Sequence, residues 1–248
     1  MSGSVGTTTA VHAAKALGPT LVRVVRPRRP DPAFLAGLDP VTPPHARGGV
    51  SLRALPQNSF SAPTFAIAEG TWRPWLSPMT MGAFLVEHEQ ATFLVDAGVC
   101  HDTRQRHLSQ LPAVTRALVV PDAYAGAALG PFDLNGPPVE TFSASFDLFG
   151  DGTVVVVSLP GHTPGHVGVL VTLRSGRRCL LAGDAVWNSF QVRAALERAP
   201  LPGRLVDVDR EETYASVVRL HRMSPDITVL PAHDKRAIDM VFAGGPLD

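Results

Sequence analysis

Short runs of consecutive apolar residues, separated by turn residues, dominate the second half of the chain. Four such runs occur, at residues 154–157, 167–173, 179–182 and 227–230. Apolar runs of this length, rich in Val and Leu, are typical of strands that are buried on both faces. After Asp209, which forms a capping pattern with Glu212, apolar residues recur at helical spacing. Strands that alternate with helices predict an α/β fold in which helices cover a sheet.

The first half of the chain has a weaker pattern. Residues 81–86 and 91–95 predict two strands of a hairpin with a polar turn between them, and residues 59–68 predict a further strand. Trp72 and Trp75 flank a proline and are expected to pack in the core or a loop, with a pocket wall as the alternative. Residues 1–55, dominated by Ser, Thr, Pro and Arg, are predicted to be a poorly structured extension that precedes one domain over residues 56–248.

Composition narrows the classes of function. The 248 residues include 22 Lys or Arg and 22 Asp or Glu, so the net charge is zero. No global field therefore favours nucleic acid or an anionic membrane, and neither is expected as a partner. No apolar run approaches the roughly 18 residues that span a bilayer, and the two cysteines lack CxxC spacing. We therefore expect a cytoplasmic protein.

Candidate ligands for a metal follow the apolar runs. His162 stands in a Pro-Gly loop directly after the first run, and Asp184 ends the third. Two adjacent strand ends would deliver this imidazole and this carboxylate to one edge of a sheet. Neutral imidazole and carboxylate oxygen are both good ligands for Zn, Mn or Fe. The pattern therefore predicts a metal site at the sheet edge.

The order of four motifs resembles the metallo-β-lactamase-fold hydrolases. The motifs are Pro-Gly-His-Thr-Pro-Gly-His at 160–166, Leu-Ala-Gly-Asp at 181–184, Leu-Pro-Ala-His-Asp at 230–234 and Phe-Leu-Val-Asp-Ala-Gly at 93–98. The resemblance implies a four-layer αββα sandwich with a metal centre between two sheets. It implies that His162 and His233 ligate metal, that Asp184 bridges two ions, and that His166, Asp96 and Asp234 orient the ligands without binding metal.

One motif of that family is missing from the sequence. The family carries His-x-His-x-Asp-His between its early Asp and its Pro-Gly-His-Thr loop, whereas no His-x-His occurs anywhere in this chain. The gap predicts that one strand and its ligand loop are deleted near residues 120–128. His162, Asp184 and His233 would then hold at most one ion, of Zn or alternatively Mn or Fe. His101, His107 or Asp122 would have to replace the missing ligands if two ions were bound.

These observations predict a metal-dependent hydrolase that acts on a small-molecule ester, lactone or thioester through metal-activated water, with Asp184 as the catalytic residue. Trp187 is expected in the substrate pocket, at a position where lactonase-like relatives have Tyr, and it offers no acidic hydroxyl. Quorum-signal lactones are therefore less favoured among the substrates. The alternatives are an inactive binding module on the same fold, or a deletion variant of a binuclear enzyme. The sequence predicts no oligomeric state.

Overall fold

The computed structural model describes residues 4–96 and 133–248, which form two sheets and seven helices. The strands are β1 (Ser51–Pro63), β2 (Leu76–Glu87), β3 (Thr92–Val95), β4 (Ser145–Asp147), β5 (Val154–Ser158), β6 (Val167–Thr172), β7 (Arg178–Gly183) and β8 (Ile227–Pro231). The helices are α1 (Ser4–Val25), α2 (Pro32–Ala36), α3 (Thr64–Ile67), α4 (Ser189–Ala194), α5 (Pro200–Val206), α6 (Arg210–Arg222) and α7 (Lys235–Val241).

The strand order brings four chain segments to one edge of the larger sheet. Its order is β4-β5-β6-β7-β8, and the smaller sheet has the order β1-β2-β3. Neighbours in the larger sheet are antiparallel except for β7 and β8, which are parallel. Ser158 at the end of β5 pairs with Val167 at the start of β6, and Gly183 pairs with Pro231 at the ends of β7 and β8. The loops after β5, β7 and β8 therefore leave the sheet at the same edge.

Alternation along the strands divides the buried residues into two cores, because successive side chains point to opposite faces of a sheet. One core lies between the larger sheet and helix α6, with residues such as Val155, Val157 and Leu180 against Tyr214 and Val217. A second core lies between the two sheets. Its principal members are Leu52, Phe84, Val86, Val169, Val171 and Leu181. The predicted α/β fold, with helices that cover a sheet, is confirmed.

Most of the elements predicted from the sequence are present in the structure. All four apolar runs are strands, the predicted hairpin is β2–β3 with Phe84 opposite Val95, and Asp209 caps α6 by accepting a hydrogen bond from the Glu212 amide. The predicted deletion near residues 120–128 lies outside the described residues. In the part of the chain that the structure describes, no helix is long and apolar enough to cross a membrane.

The first half differs from the expectation in two places. The strand predicted at residues 59–68 begins earlier, because β1 pairs with β2 from Ser51 onward, and residues 64–67 form α3. The region predicted as a poorly structured extension contains α1 and α2, and Val50 and Leu52 within it are fully buried. Its packed part is held by strand pairing and by contact of α1 with α5, neither of which is visible as a local sequence pattern.

Candidate metal centre

Three of the predicted ligands meet at the edge of the larger sheet. His162 follows β5, Asp184 follows β7 and His233 follows β8. Asp184 lies between the two rings: its Oδ1 is 2.6 Å from His233 Nε2, and its Oδ2 is 3.6 Å from His162 Nε2. The Asp184 side chain remains 31% exposed, so the cluster opens to solvent. The shared edge that the strand order creates thus brings two imidazoles and one carboxylate together.

His233 is held on both ring nitrogens. Nδ1 lies 2.7 Å from the carbonyl oxygen of Thr80 on β2, and Nε2 lies 2.6 Å from the Asp184 carboxylate. A carbonyl and a carboxylate oxygen only accept hydrogen bonds, so both nitrogens carry hydrogen and the ring is an imidazolium. Burial lowers the pKa of His233, but the Asp184 charge and the hydrogen bonds outweigh this effect and raise the pKa to about 9. Binding of a metal at Nε2 would therefore release a proton.

His162 is held on one side only. Its Nδ1 lies 3.3 Å from Oδ1 of Asp207, whose side chain is 1% exposed, and its Nε2 points toward Asp184 at 3.6 Å without a hydrogen bond. A carboxylate that accepts from Nδ1 fixes the tautomer and leaves a lone pair on Nε2, which is how ligating histidines are oriented. No local sequence pattern marks Asp207, which lies 45 residues from His162.

A buried arginine contacts both the Asp184 loop and Asp207. The Arg198 side chain is 0% exposed, and its Nη1 lies 3.2 Å from Asp207 Oδ1 without hydrogen-bond geometry, so charge holds this pair together. Its Nη2 donates to the carbonyl oxygens of Asp184 at 2.6 Å and Ala185 at 3.1 Å. The guanidinium also lies 4.5 Å from the centre of the Trp187 ring, within the range of a cation–π contact. One side chain therefore fixes both the Asp184 loop and the carboxylate behind His162.

His166 supports the backbone beside Asp184. Its Nδ1 donates to the Leu159 carbonyl at 3.1 Å, and its Nε2 accepts from the Asp184 amide at 3.0 Å, which defines a neutral ring. Burial lowers the pKa of His166, in keeping with that state. Gly183 has φ of 50°, and a Cβ there would come within 2.8 Å of His166 Nε2, so the close approach requires glycine. Both nitrogens of His166 are therefore in use within the chain.

The charge on Asp184 is strongly stabilised. Burial acts to raise the pKa of this carboxyl, but His233, with His162 and Arg198, outweighs burial and holds the pKa well below its usual range. The Trp187 indole N–H donates to Asp184 Oδ1 at 3.1 Å, and the ring meets that of His233 edge-on at 5.9 Å. Asp184 is therefore an anion with a fixed orientation, and Trp187 contacts the centre directly.

The remaining two carboxylates of the predicted site have different surroundings. Burial, followed by the Asp184 charge, raises the pKa of Asp96 to about 6 against the opposing effects of His233 and His162, so Asp96 lies within the field of the centre. Asp234 instead caps α7 through the Ala237 amide and accepts from the Ser189 amide and hydroxyl, at 3.0, 2.7 and 2.6 Å. Asp234 thus joins the turn that carries His233 to the start of α4.

The donor types suit a single ion, but the distances are not those of a formed site. Within residues 4–96 and 133–248, no three His, Cys, Asp or Glu side chains are already spaced to hold a metal. Two donors of one tetrahedral ion are roughly 3.4 Å apart when each bond is about 2.0–2.2 Å. The 3.6 Å between His162 and Asp184 meets this requirement, whereas the 2.6 Å hydrogen bond between His233 and Asp184 does not. His101, His107 and Asp122 lie outside the described residues.

Comparisons with known proteins give a family match and several partial relatives. A model of the metallo-beta-lactamase superfamily matches residues 105–233. The N-acyl homoserine lactonase AttM of Rhizobium radiobacter is 30% identical over 123 residues, which are 47% of this chain and 45% of that protein. A probable metallo-hydrolase of Mycobacterium bovis is 34% identical over 110 residues, covering 40% and 34% of the two chains. The match thus spans less than half the length of these relatives.

Solved structures share the fold at low sequence identity. An N-acyl homoserine lactone hydrolase with product bound at its catalytic metal centre aligns with a TM-score of 0.51 and 14% identity, over 76% of this chain and 94% of that chain. A probable metal-dependent hydrolase from Staphylococcus aureus aligns with a TM-score of 0.50 and 12% identity, over 77% and 91% of the two chains. At these identities the likeness concerns the fold alone.

Proposed function

Because the chain belongs to the metallo-β-lactamase superfamily, we propose that it is a metal-dependent hydrolase of small-molecule esters, lactones or thioesters. The observation that carries the proposal is the meeting of His162, Asp184 and His233 at one solvent-accessible sheet edge. The AttM relatives are named as lactonases, which supports a lactone among the substrates. Trp187 has no acidic hydroxyl to polarise a carbonyl, so this position does not favour lactones over other substrates. Simple esters and lactones are therefore equally suitable as first substrates.

The roles of the residues follow from their contacts. His162, Asp184 and His233 would hold one ion of Zn, Mn or Fe, and such an ion would lower the pKa of a water molecule for hydrolytic chemistry. His233 would have to lose its Nε2 proton in order to bind such an ion, and its Nδ1 contact with the Thr80 carbonyl orients the ring. His166 and Arg198 fix the backbone on either side of the Asp184 carboxylate. Trp187 donates its indole N–H to that carboxylate.

Metal content and hydrolysis measured on the same samples test the proposal. The protein is stripped with a chelator, reconstituted with Zn, Mn or Fe, and analysed for metal per chain. We expect one ion per chain, its loss in His162→Ala, and hydrolysis of simple esters or lactones only in the reconstituted sample. His221→Ala is the matched control, because His221 is exposed on α6 and bonds the Val192 carbonyl instead.

A binding module without catalysis is the second candidate. It is favoured by the direct ion pair between His233 and Asp184, which satisfies both groups without a metal. In that case no metal would be found above background, and His162→Ala would change neither metal content nor thermal stability. One bound ion without hydrolysis of any ester, lactone or thioester would also contradict the hydrolase. Two ions per chain would mean that residues outside the described part contribute ligands.

A further inference from the structure

The outward face of helix α1 is apolar. Leu17, Leu21, Val22 and Val25 are 55%, 72%, 60% and 72% exposed. At 3.6 residues per turn these four side chains fall within an arc of about 140°. Ala16 and Val24, on the stripe that adjoins Leu17, are buried, and between them the Thr20 hydroxyl accepts a hydrogen bond from the Leu201 amide of α5. A helix on a protein surface normally presents polar residues outward, so the arrangement of α1 is inverted.

Cations border the apolar arc. Lys15 and Arg26, the residue that follows α1, are exposed, and in projection down the helix axis they lie beside Val22. Residues 1–30 include five Lys or Arg, at positions 15, 23, 26, 28 and 29, and no Asp or Glu, although the whole chain contains 22 of each charge. This stretch is net positive in sequence, and Arg28 is paired with Glu197 and Glu211, so Lys15 and Arg26 are the cations that lie beside the apolar arc.

Exposed aromatic residues adjoin the end of α1. The rings of Phe65, Trp72 and Trp75 form a cluster with centroids 5.1–5.9 Å apart, and the two tryptophans are 43% and 58% exposed. Arg73 between them is exposed, and it is the only charged residue in the segment 70–86. The Pro27 ring lies against Gly70, and the Arg28 amide donates to Glu69 at 2.8 Å. The loop that carries the aromatic cluster is thus attached to the end of the helix.

We propose that α1 and the aromatic cluster bind the surface of an anionic lipid membrane. An apolar helical arc bordered by cations lies in the headgroup region of a bilayer, with its apolar side toward the acyl chains. Tryptophan prefers the same interface, and cations near it are attracted to anionic headgroups. A second copy of the chain fits the surface less well, because a two-fold interface would bring the same cations of both copies together. The proposal does not depend on the metal site.

Vesicle co-sedimentation of the full chain tests this inference. The probes are vesicles of phosphatidylcholine alone and vesicles that contain phosphatidylglycerol. We expect at least tenfold stronger binding to the anionic vesicles, because each cation near the surface contributes about 1 kcal/mol, and weaker binding at high salt. The double variant Leu21→Glu/Val25→Glu should lose at least tenfold in affinity. Met240→Glu is the matched control, because Met240 is 64% exposed on α7 and should bind like the unchanged protein.

A second measurement reports on the aromatic cluster. The chain has three tryptophans, so in Trp187→Phe the emission comes from Trp72 and Trp75 and should shift to shorter wavelength when anionic vesicles are added. Melting temperatures of all variants establish that they are folded. Absence of binding to anionic vesicles, or equal binding by the double variant and Met240→Glu, would overturn the proposal. A dimer that the double variant abolishes, without vesicle binding, would assign the surface to a second copy instead.

Discussion

The metal centre and the surface of α1 satisfy their side chains in opposite ways. At the centre, both nitrogens of His166 and His233 have partners within the chain, and Arg198 contacts a carboxylate, two carbonyls and a ring. On α1, four large apolar side chains between 55% and 72% exposed face solvent. The polar groups of the candidate centre are thus largely paired within the chain, whereas the apolar side chains of α1 are exposed to solvent.

The difference shows which contacts of this fold require a defined geometry and which do not. Buried polar groups are usually paired, and Arg198 donates to the loop after β7 and lies against Asp207, which contacts His162 in the loop after β5. Exposed apolar groups have no such directional requirement. The unfavourable free energy of their exposure to water is removed only when a membrane or another molecule buries them. Changes in the network should therefore cost stability directly, and changes on α1 should affect only association.

The largest expected effect comes from removal of the buried cation. Arg198→Met should lower the free energy of unfolding by about 3–5 kcal/mol, because Asp207 would stay buried without its main counter-charge and two carbonyls would lose their donor. Chemical denaturation measures this change. Arg193→Met is the control, since Arg193 is exposed and lies 4.9 Å from the Phe190 ring, a contact that contributes about 0.5–1 kcal/mol. Equal losses in both variants would mean that the Arg198 network adds no stability.

A smaller effect is expected from the carboxylate behind His162. Asp207→Asn keeps the size of the side chain but weakens the contact that fixes the His162 tautomer. Changes of this kind lower metal affinity by about 10–100-fold, which a titration against a competing chelator would measure. Asp209→Asn is the matched control, because Asp209 is exposed at the N-terminus of α6 and Asn caps helices equally well. Unchanged affinity in Asp207→Asn would remove Asp207 from the proposed site.

The parts of the fold that the sequence predicts are those with local signals. Val154–Ser158 and its neighbours are continuous apolar runs, so their strands could be located without knowledge of the tertiary structure. The meeting of His162, Asp184 and His233 was predictable for the same reason, because each follows such a run. Their roles as metal ligands remain a prediction.

Partners that come from distant segments were not predictable. Asp207 and Arg198 are charged residues in a stretch with no apolar period, and their burial results from contacts across the fold. Trp72 and Trp75, expected in the core or a loop, form an exposed cluster, because residue type alone does not decide which side of a loop faces the protein. The sequence likewise gave no sign that α1 would turn its apolar arc outward.

The smallest expected effect concerns Glu69, which accepts a hydrogen bond from the Arg28 amide, three residues after the end of α1. Burial, together with the charge of Glu197, raises the pKa of Glu69 from 4.5 to about 7, against the opposing effects of the Arg28 hydrogen bond and of the Arg23 and Arg210 charges. The folded state therefore binds more protons between these pH values, so the free energy of unfolding should fall as pH increases from 4.5 to about 7 and then stop changing on account of this group. We expect a contribution of about 1–2 kcal/mol, reduced by the neighbouring cations.

Denaturation across this pH range should show a flatter dependence of the free energy of unfolding in Glu69→Gln than in the unchanged protein. Glu89→Gln, in an exposed turn, should show none of this flattening. Parallel pH profiles for Glu69→Gln and the unchanged protein would mean that Glu69 does not link α1 to the core through its protonation.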